Sequence, residues 1–262
     1  MANAMFIRLG VLSFLLFYLV VTIAGLWYGS KGRYRKLLRI PGLEQIKEGV
    51  GRAEELGRPI LYTTGQGSGG LASDSAPHHI TGLNIMGYVA GLAAKTRTSF
   101  IFQAAHPELI PMAQALIKEA AIVQGVPDYY HEDMVQYYGP NFRASALRLI
   151  ENERPATIYY IGILWATALC LTETGNYLGA LQIAGQPDRF NLPFIIASCD
   201  YVMMAEEMYV TGAYVSGKTA LIGSVAALEF SKLLFIALIL IGVLLSTLGV
   251  TWWNEIFTAG GI

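Results

Sequence analysis

The residues of this chain best suited to chemistry lie in polar islands between apolar runs. The first island is Thr63-Thr64-Gly65-Gln66-Gly67-Ser68-Gly69-Gly70, because closely spaced glycines let backbone N–H groups approach a phosphate. Its spacing departs from GxGxxG followed at once by a helix, and it lacks the Gly-Lys-Ser/Thr ending of a P-loop. About ten residues, Pro77 among them, separate it from the next helical pattern. A mobile or packing loop is the expectation, and a phosphate cradle the alternative. His78 and His79 are adjacent, so they cannot share a helix face as an i, i+4 pair would, and with Asp74 they make an incomplete metal set. A solvated loop pair is expected there, and a surface turn at His131-Glu132-Asp133.

Glu173 and Asn176 close an otherwise apolar segment. A carboxylate buried there must be hydrogen-bonded, paired or protonated. Glu173 is therefore expected to cap backbone or meet an arginine such as Arg143, with a ligand contact or general base as the sharper option. Glu206 and Glu207 are neighbours, so on a helix only one can face a sheet. Neither GxSxG nor HExxH nor an ordered Ser/His/Asp set stands out. The reading leans away from an enzyme and assigns no catalytic residue, metal or cofactor. Cys170 and Cys199 lie in apolar surroundings without metal or redox spacing, and read as buried free thiols of a reducing compartment.

These islands need a scaffold, and the stretch from Pro155 to Gln186 decides which. Residues 157–164 are mostly β-branched or aromatic, 165–172 suit a helix, and Glu173 follows directly. The reading is a buried strand, a turn, a buried helix to about Gly179 and a short strand, Leu181 to Ala184, rather than a membrane span. Further strands are expected at Pro59–Thr63, Thr98–Ala104, Val135–Tyr138 and Pro193–Ser198. Helices are expected at Leu43–Leu56, Ile80–Thr96, from His106-Pro107 to Val123, and from Asn141, as its cap, to Glu153. An apolar run, Tyr201 to Tyr214, follows. Continuous apolar strands alternating with helices predict an α/β fold with a doubly wound, mostly parallel, Rossmann-like sheet. In such a sheet ligands sit beyond the carboxyl ends of the strands. The candidate ligand-binding set is accordingly Thr64, Gly65, Gly67, Gly69, His106, Asn141, Glu173, Asn176 and Asp200.

Two uncharged apolar runs flank this domain, Leu9 to Tyr28 and Leu233 to Trp253, the second closed by Trp252 and Trp253. Each is long enough to span a bilayer as a helix. The apolar fraction of 54% against only 14% charged residues fits a chain partly in lipid. Lys31, Arg33, Arg35, Lys36 and Arg39 follow the first run and Lys232 precedes the second, whereas the outer ends offer Arg8 and Glu255. The positive-inside rule puts the centre in the cytoplasm. The expected order is an outer N-terminus over 1–8, a span over 9–28, a cytoplasmic domain over 29–218, a connecting helix over 219–232, a span over 233–253 and an outer C-terminus over 254–262. Gly25-xxx-Gly29 and Gly242-xxx-Ser246 are candidate helix-association pairs. A net charge of -1 gives no reason to expect nucleic acid.

The segments RKLLRIPGLEQI (35–46), GRPILYTTG (57–65), ETGNYLGALQIAG (173–185) and CDYVMMAEEMYVTGAY (199–214) resemble an uncharacterised prokaryotic membrane-protein family built on one domain of unknown function. The resemblance covers most of residues 30–217, implies membrane association and carries no catalytic residue with it. The function expected is a non-catalytic, membrane-anchored scaffold or accessory subunit, a homo-oligomer or part of a larger complex in the cell's inner membrane. A small-ligand or nucleotide sensor is the first alternative. A membrane-bound hydrolase using Glu173, His106 or Asp200 is the second.

Overall fold

The computed structural model of the chain describes residues 2–31 and 41–249. Arg33, Arg35, Lys36, Arg39, Trp252, Trp253 and Glu255, on which the orientation and the second span partly rest, lie outside the described residues. The chain forms two compact units, one from its two ends and one from residues 39–216. Helix α1 (Ala2–Ser30) belongs to the first unit.

The second unit follows in chain order as α2 (Pro41–Leu56), β1 (Ile60–Gly65), α3 (Ala76–Thr96), β2 (Phe100–Ala104), α4 (Leu109–Val123), β3 (Val135–Tyr137), α5 (Phe142–Glu153), β4 (Thr157–Ile163), α6 (Ala168–Tyr177), β5 (Leu181–Gln186), α7 (Leu192–Ser198), β6 (Tyr201–Met204) and α8 (Glu206–Ser216). The six strands form one sheet in the order β3-β2-β1-β4-β5-β6, and each neighbouring pair is parallel. That is a doubly wound, Rossmann-like α/β order, which reverses direction between β1 and β4.

Both faces of the sheet are covered, so the inner strands β1, β2, β4 and β5 are buried along their whole length and mostly apolar. One core gathers Ile46, Val50, Ile60, Tyr62, Met86, Phe102, Tyr159 and Ile183; the other gathers Leu61, Phe142, Ile150, Ile158, Tyr160, Leu171 and Ile195. Buried tyrosines bind the sheet to its helices. Tyr62 donates to the Gly82 carbonyl at 2.6 Å, Tyr159 to Ile46 at 2.7 Å and Tyr160 to Leu171 at 3.1 Å. Each hydroxyl is thereby satisfied without water, and burial raises all three above the ordinary phenol value.

Several local expectations are corrected. Pro193 to Ser198 is helical rather than extended, and the sixth strand is Tyr201–Met204. Proline lies in the first turn of α7, where no N–H is needed, whereas inside a strand it would remove a ladder bond. Asn141 precedes α5 without a side-chain cap bond. It ends the 3-10 turn Gly139–Asn141, which Pro140 pre-sets. Cys170 is exposed, because α6 turns that side outward, while Cys199 is half-buried. Burial pushes the Cys199 thiol up to about 12.

In the first unit, α1 packs against α9 (Thr219–Thr247). The expected connecting helix and the described part of the second apolar run are thus one continuous helix. The pair is antiparallel: a Cβ added at Gly25 would meet Ala227 Cα at 2.6 Å, and one at Gly29 would meet Gly223 Cα at 2.5 Å. Tyr18 lies against Phe235 and Tyr28 against Phe230. Among the described residues one helix, α9, is long and apolar enough to cross a membrane, and Leu15–Gly29 of α1 forms a shorter apolar helix.

Candidate functional site

The carboxyl edge of the sheet is built around the seam between β1 and β4. Strand β1 ends in Gly65 at φ +71, and β4 carries Gly162 at φ +143 where the pairing register shifts. A Cβ at Gly65 would lie 2.3 Å from the Ile163 oxygen, and one at Gly162 would lie 2.1 Å from the Thr64 oxygen. Only glycine fits either position, because the two backbones touch there in a left-handed conformation. The chain leaving β1 then folds across the seam. Gln66 N–H and Gly67 N–H both donate to the Ile163 carbonyl, at 2.9 and 3.0 Å. The crevice at this reversal is the usual ligand position of a doubly wound sheet, and here the chain's own loop lies over it.

The rest of the glycine-rich loop is also held from within. Ser68 N–H donates to Ser75 Oγ at 2.8 Å, and the Ser68 hydroxyl donates to Asp74. Leu71 N–H donates to the Glu108 carboxylate at 3.1 Å. A Cβ at Gly70 would fall 1.5 Å from Glu108 Oε1, so the carboxylate lies directly against the glycine backbone. Glu108 occupies the place an anion would take, and its carboxyl is held below the usual range by its own backbone N–H and then by that of Leu71. The N–H groups of Gly69 and Gly70 have no partner among the described residues.

Two imidazoles support the loop from below. His79 lies in the first turn of α3, not in a loop, and is buried at 1% exposure. Its Nε2 donates to the Gly69 carbonyl at 3.0 Å, which leaves Nδ1 to accept from the Thr64 hydroxyl at 3.3 Å. Burial lowers its pKa below the ordinary imidazole value, against a smaller opposing effect of the Gly69 carbonyl. His106 packs edge-on against it, with ring centroids 5.3 Å apart, and donates through Nε2 to the Gln66 carbonyl. His78 pairs with the Tyr209 hydroxyl, and burial lowers its pKa too.

Beside the loop, on the β1–β2–β3 side, lies an open cleft of about 370 Å³, lined by Gln66, Gly67, Ser68, Gly69, Ala105, His106, Pro107, Tyr137, Gly139 and Pro140. It is large enough for a small polar molecule.

The residues named from sequence divide accordingly. Gly67, Gly69 and His106 line the cleft, while Thr64 and Gly65 are buried behind it. Asn141 is exposed and outside the lining. Glu173 and Asn176 are exposed on α6, so Glu173 is not the buried carboxylate its apolar neighbours suggested. Asp200 precedes β6 and therefore lies at the amino edge, where its carboxylate accepts from Gln182 N–H at 2.7 Å. Ser198 is at the same edge, bonded to Thr172 and Phe194. Glu173, His106 and Asp200 do not converge. Among the described residues no group of three or more His, Cys, Asp or Glu could hold a metal ion. At the carboxyl end of β5, Gln186 is buried with both amide atoms unpartnered among the described residues. Sequence reasoning missed His79 and Glu108. Pro77 was the available signal for His79, since proline favours a helix's first turn and puts the two histidines on α3.

No curated protein and no solved structure matches the chain. A family model does, over residues 2–257. The chain belongs to the family described as Domain of unknown function (DUF6754).

Proposed function

We propose that this protein is a non-catalytic, membrane-anchored α/β subunit that self-assembles or serves as a scaffold or accessory subunit at the cytoplasmic face of the cell membrane. The observation that carries the non-catalytic part is the internal closure of the glycine-rich loop. Three of its N–H groups, and that of Leu71 just after it, are spent on Ile163, Ser75 and Glu108, and both nearby imidazoles spend Nε2 on loop carbonyls. The other nitrogen of His79, Nδ1, is buried and already accepts from the Thr64 hydroxyl, so that ring has no free lone pair to act as a general base. The apolar helix α9 supports the anchor. The topology proposed has α1 and α9 as its two crossings, with both termini outside. Lys31, whose ammonium lies 3.3 Å from the Trp27 ring centroid, is on the inner side with the basic residues after it.

Cys170 offers a direct test, since it is the exposed thiol, whereas Cys199 is half-buried with a raised pKa. An impermeant maleimide should leave intact cells unlabelled and label Cys170 once the membrane is opened. Labelling of intact cells, abolished by Cys170→Ser, would contradict the cytoplasmic placement.

A second reading, a small-ligand sensor, is supported by the 370 Å³ cleft beside the unpartnered Gly69 and Gly70 N–H groups. A ligand bound to the folded state must raise its stability. Mononucleotides and inorganic phosphate at millimolar concentration should raise the thermal midpoint, and Glu108→Gln, which removes the resident charge, should enlarge the rise. An unchanged midpoint in both proteins rules this reading out.

A further inference from the structure

The two apolar runs of the helical hairpin are out of step. Gly25 meets Ala227 and Gly29 meets Gly223. Continued along the pair, that register sets Leu9 level with Val243, Tyr28 level with Ser224, and Val20 level with Lys232. The run of α1 therefore faces residues 224–243, whereas the uncharged run of α9 begins only at Leu233. The offset is about nine residues, or ~14 Å at 1.5 Å per residue. A bilayer core of ~30 Å cannot match both. Fitted to α1, it takes in Glu229 and Lys232. Fitted to α9, it leaves the stretch from Val20 to Tyr28 in water, with Val20 at 63%, Ile23 at 55% and Trp27 at 63% exposure.

The charged residues form an ion pair one turn apart, Lys232 Nζ to Glu229 Oε1 at 3.0 Å, with side-chain exposures of 41% and 43%. The hairpin alone does not cover it. A charge pair at the level of an apolar run is expensive unless it is enclosed by further protein.

We infer that this face of α9 docks against the same face of a second copy, the two hairpins related by a two-fold axis along the membrane normal, with Glu229 of each chain paired to Lys232 of the other. The inference rests on the anchored reading above. Charge complementarity selects the occupant: one acid and one base a turn apart are self-complementary under a two-fold axis. An anionic lipid headgroup would answer Lys232 and leave Glu229 uncompensated. Gly25 and Gly29 are already committed to α9 within the chain, so the contact between copies falls on the outer side of α9, where Leu228, Leu233 and Ile236 are 50%, 62% and 53% exposed.

The test is a charge exchange on the full chain, with two affinity tags in one membrane and the copies counted after mild-detergent extraction. Wild-type chains should co-purify as pairs. Glu229→Lys alone gives a face with two bases and Lys232→Glu alone a face with two acids, and each should lose about tenfold or more of its pairing. Co-expression of the two single variants should restore mixed pairs, and the double exchange Glu229→Lys/Lys232→Glu should pair with itself, which shows that the substituted helices still fold. Single variants that pair like wild type, or a mixture that stays unpaired, overturn the proposal. Resistance to alkaline carbonate, measured on the same membranes, reports the anchor separately. An extraction-resistant but monomeric wild type overturns the docking and leaves the anchor standing, whereas release by carbonate overturns the anchor and the docking with it.

Discussion

His79 shows how one side chain ties a loop to a fold, and how that leaves a pH signature. Its imidazole is buried, donates to Gly69 and accepts from Thr64, so a second proton has no place on Nδ1. Because burial lowers its folded-state pKa, its contribution to stability is fully present above the unfolded value near 6.5 and is lost as pH falls through that value toward the folded one. The thermal midpoint of the full chain in detergent should fall as pH drops below the unfolded value near 6.5. His79→Gln, which keeps a donor for Gly69, should flatten that fall, leaving the share due to His78. An unaltered slope would mean that His79 does not titrate against folding. This residue was hard to read in sequence because a His-His pair carries no periodicity of its own; what buries it is the start of α3 at Ala76, three residues earlier. Glu173 failed in the opposite sense. Its neighbours are apolar, yet α6 turns Leu169, Cys170, Glu173 and Asn176 outward together, as i, i+3 and i+4 spacing requires.

At the scale of elements, helix α2 depends on a close approach to the sheet. Thr157 donates to the Gly49 carbonyl and Tyr159 to that of Ile46, both at 2.7 Å. A Cβ at Gly49 would meet the Tyr159 hydroxyl at 2.4 Å and Ile183 Cδ1 at 2.8 Å. Gly49→Ala should therefore overpack this interface and cost about 2–3 kcal/mol. Gly51→Ala, where a new Cβ meets nothing within 4 Å, should gain about 0.5–1 kcal/mol. Thermal midpoints of the two variants moving in opposite directions check the packing, and two equal shifts contradict it. Five of the six strands were legible, since continuous β-branched and aromatic runs such as Thr157–Ile163 mark buried parallel strands. Strand β6 was misplaced by its neighbour: Phe194, Ile195 and Ile196 look like a strand, and only Pro193 argues for the short helix α7. That slip carried Asp200 from the amino edge to the carboxyl edge, and with it one of the candidate ligand residues.

For the whole molecule, the class of sheet could be read from alternation of strands and helices, but its order could not, because order is decided by crossovers that no local pattern records. The glycine-rich loop was recognised as a feature, while its closure by Ile163, Ser75 and Glu108 depends on residues 7 to 97 positions away in sequence. The apolar runs at the two ends were evident, and the register in which α1 and α9 meet was not. That register, together with the closed loop, is what inclines the account toward an assembled membrane subunit rather than an enzyme. The measurement closest to this claim is the protein mass of the particle extracted from its native membrane in mild detergent, by light scattering with the detergent contribution subtracted. The account predicts a discrete particle of two or more chains. A uniform single-chain particle would contradict it.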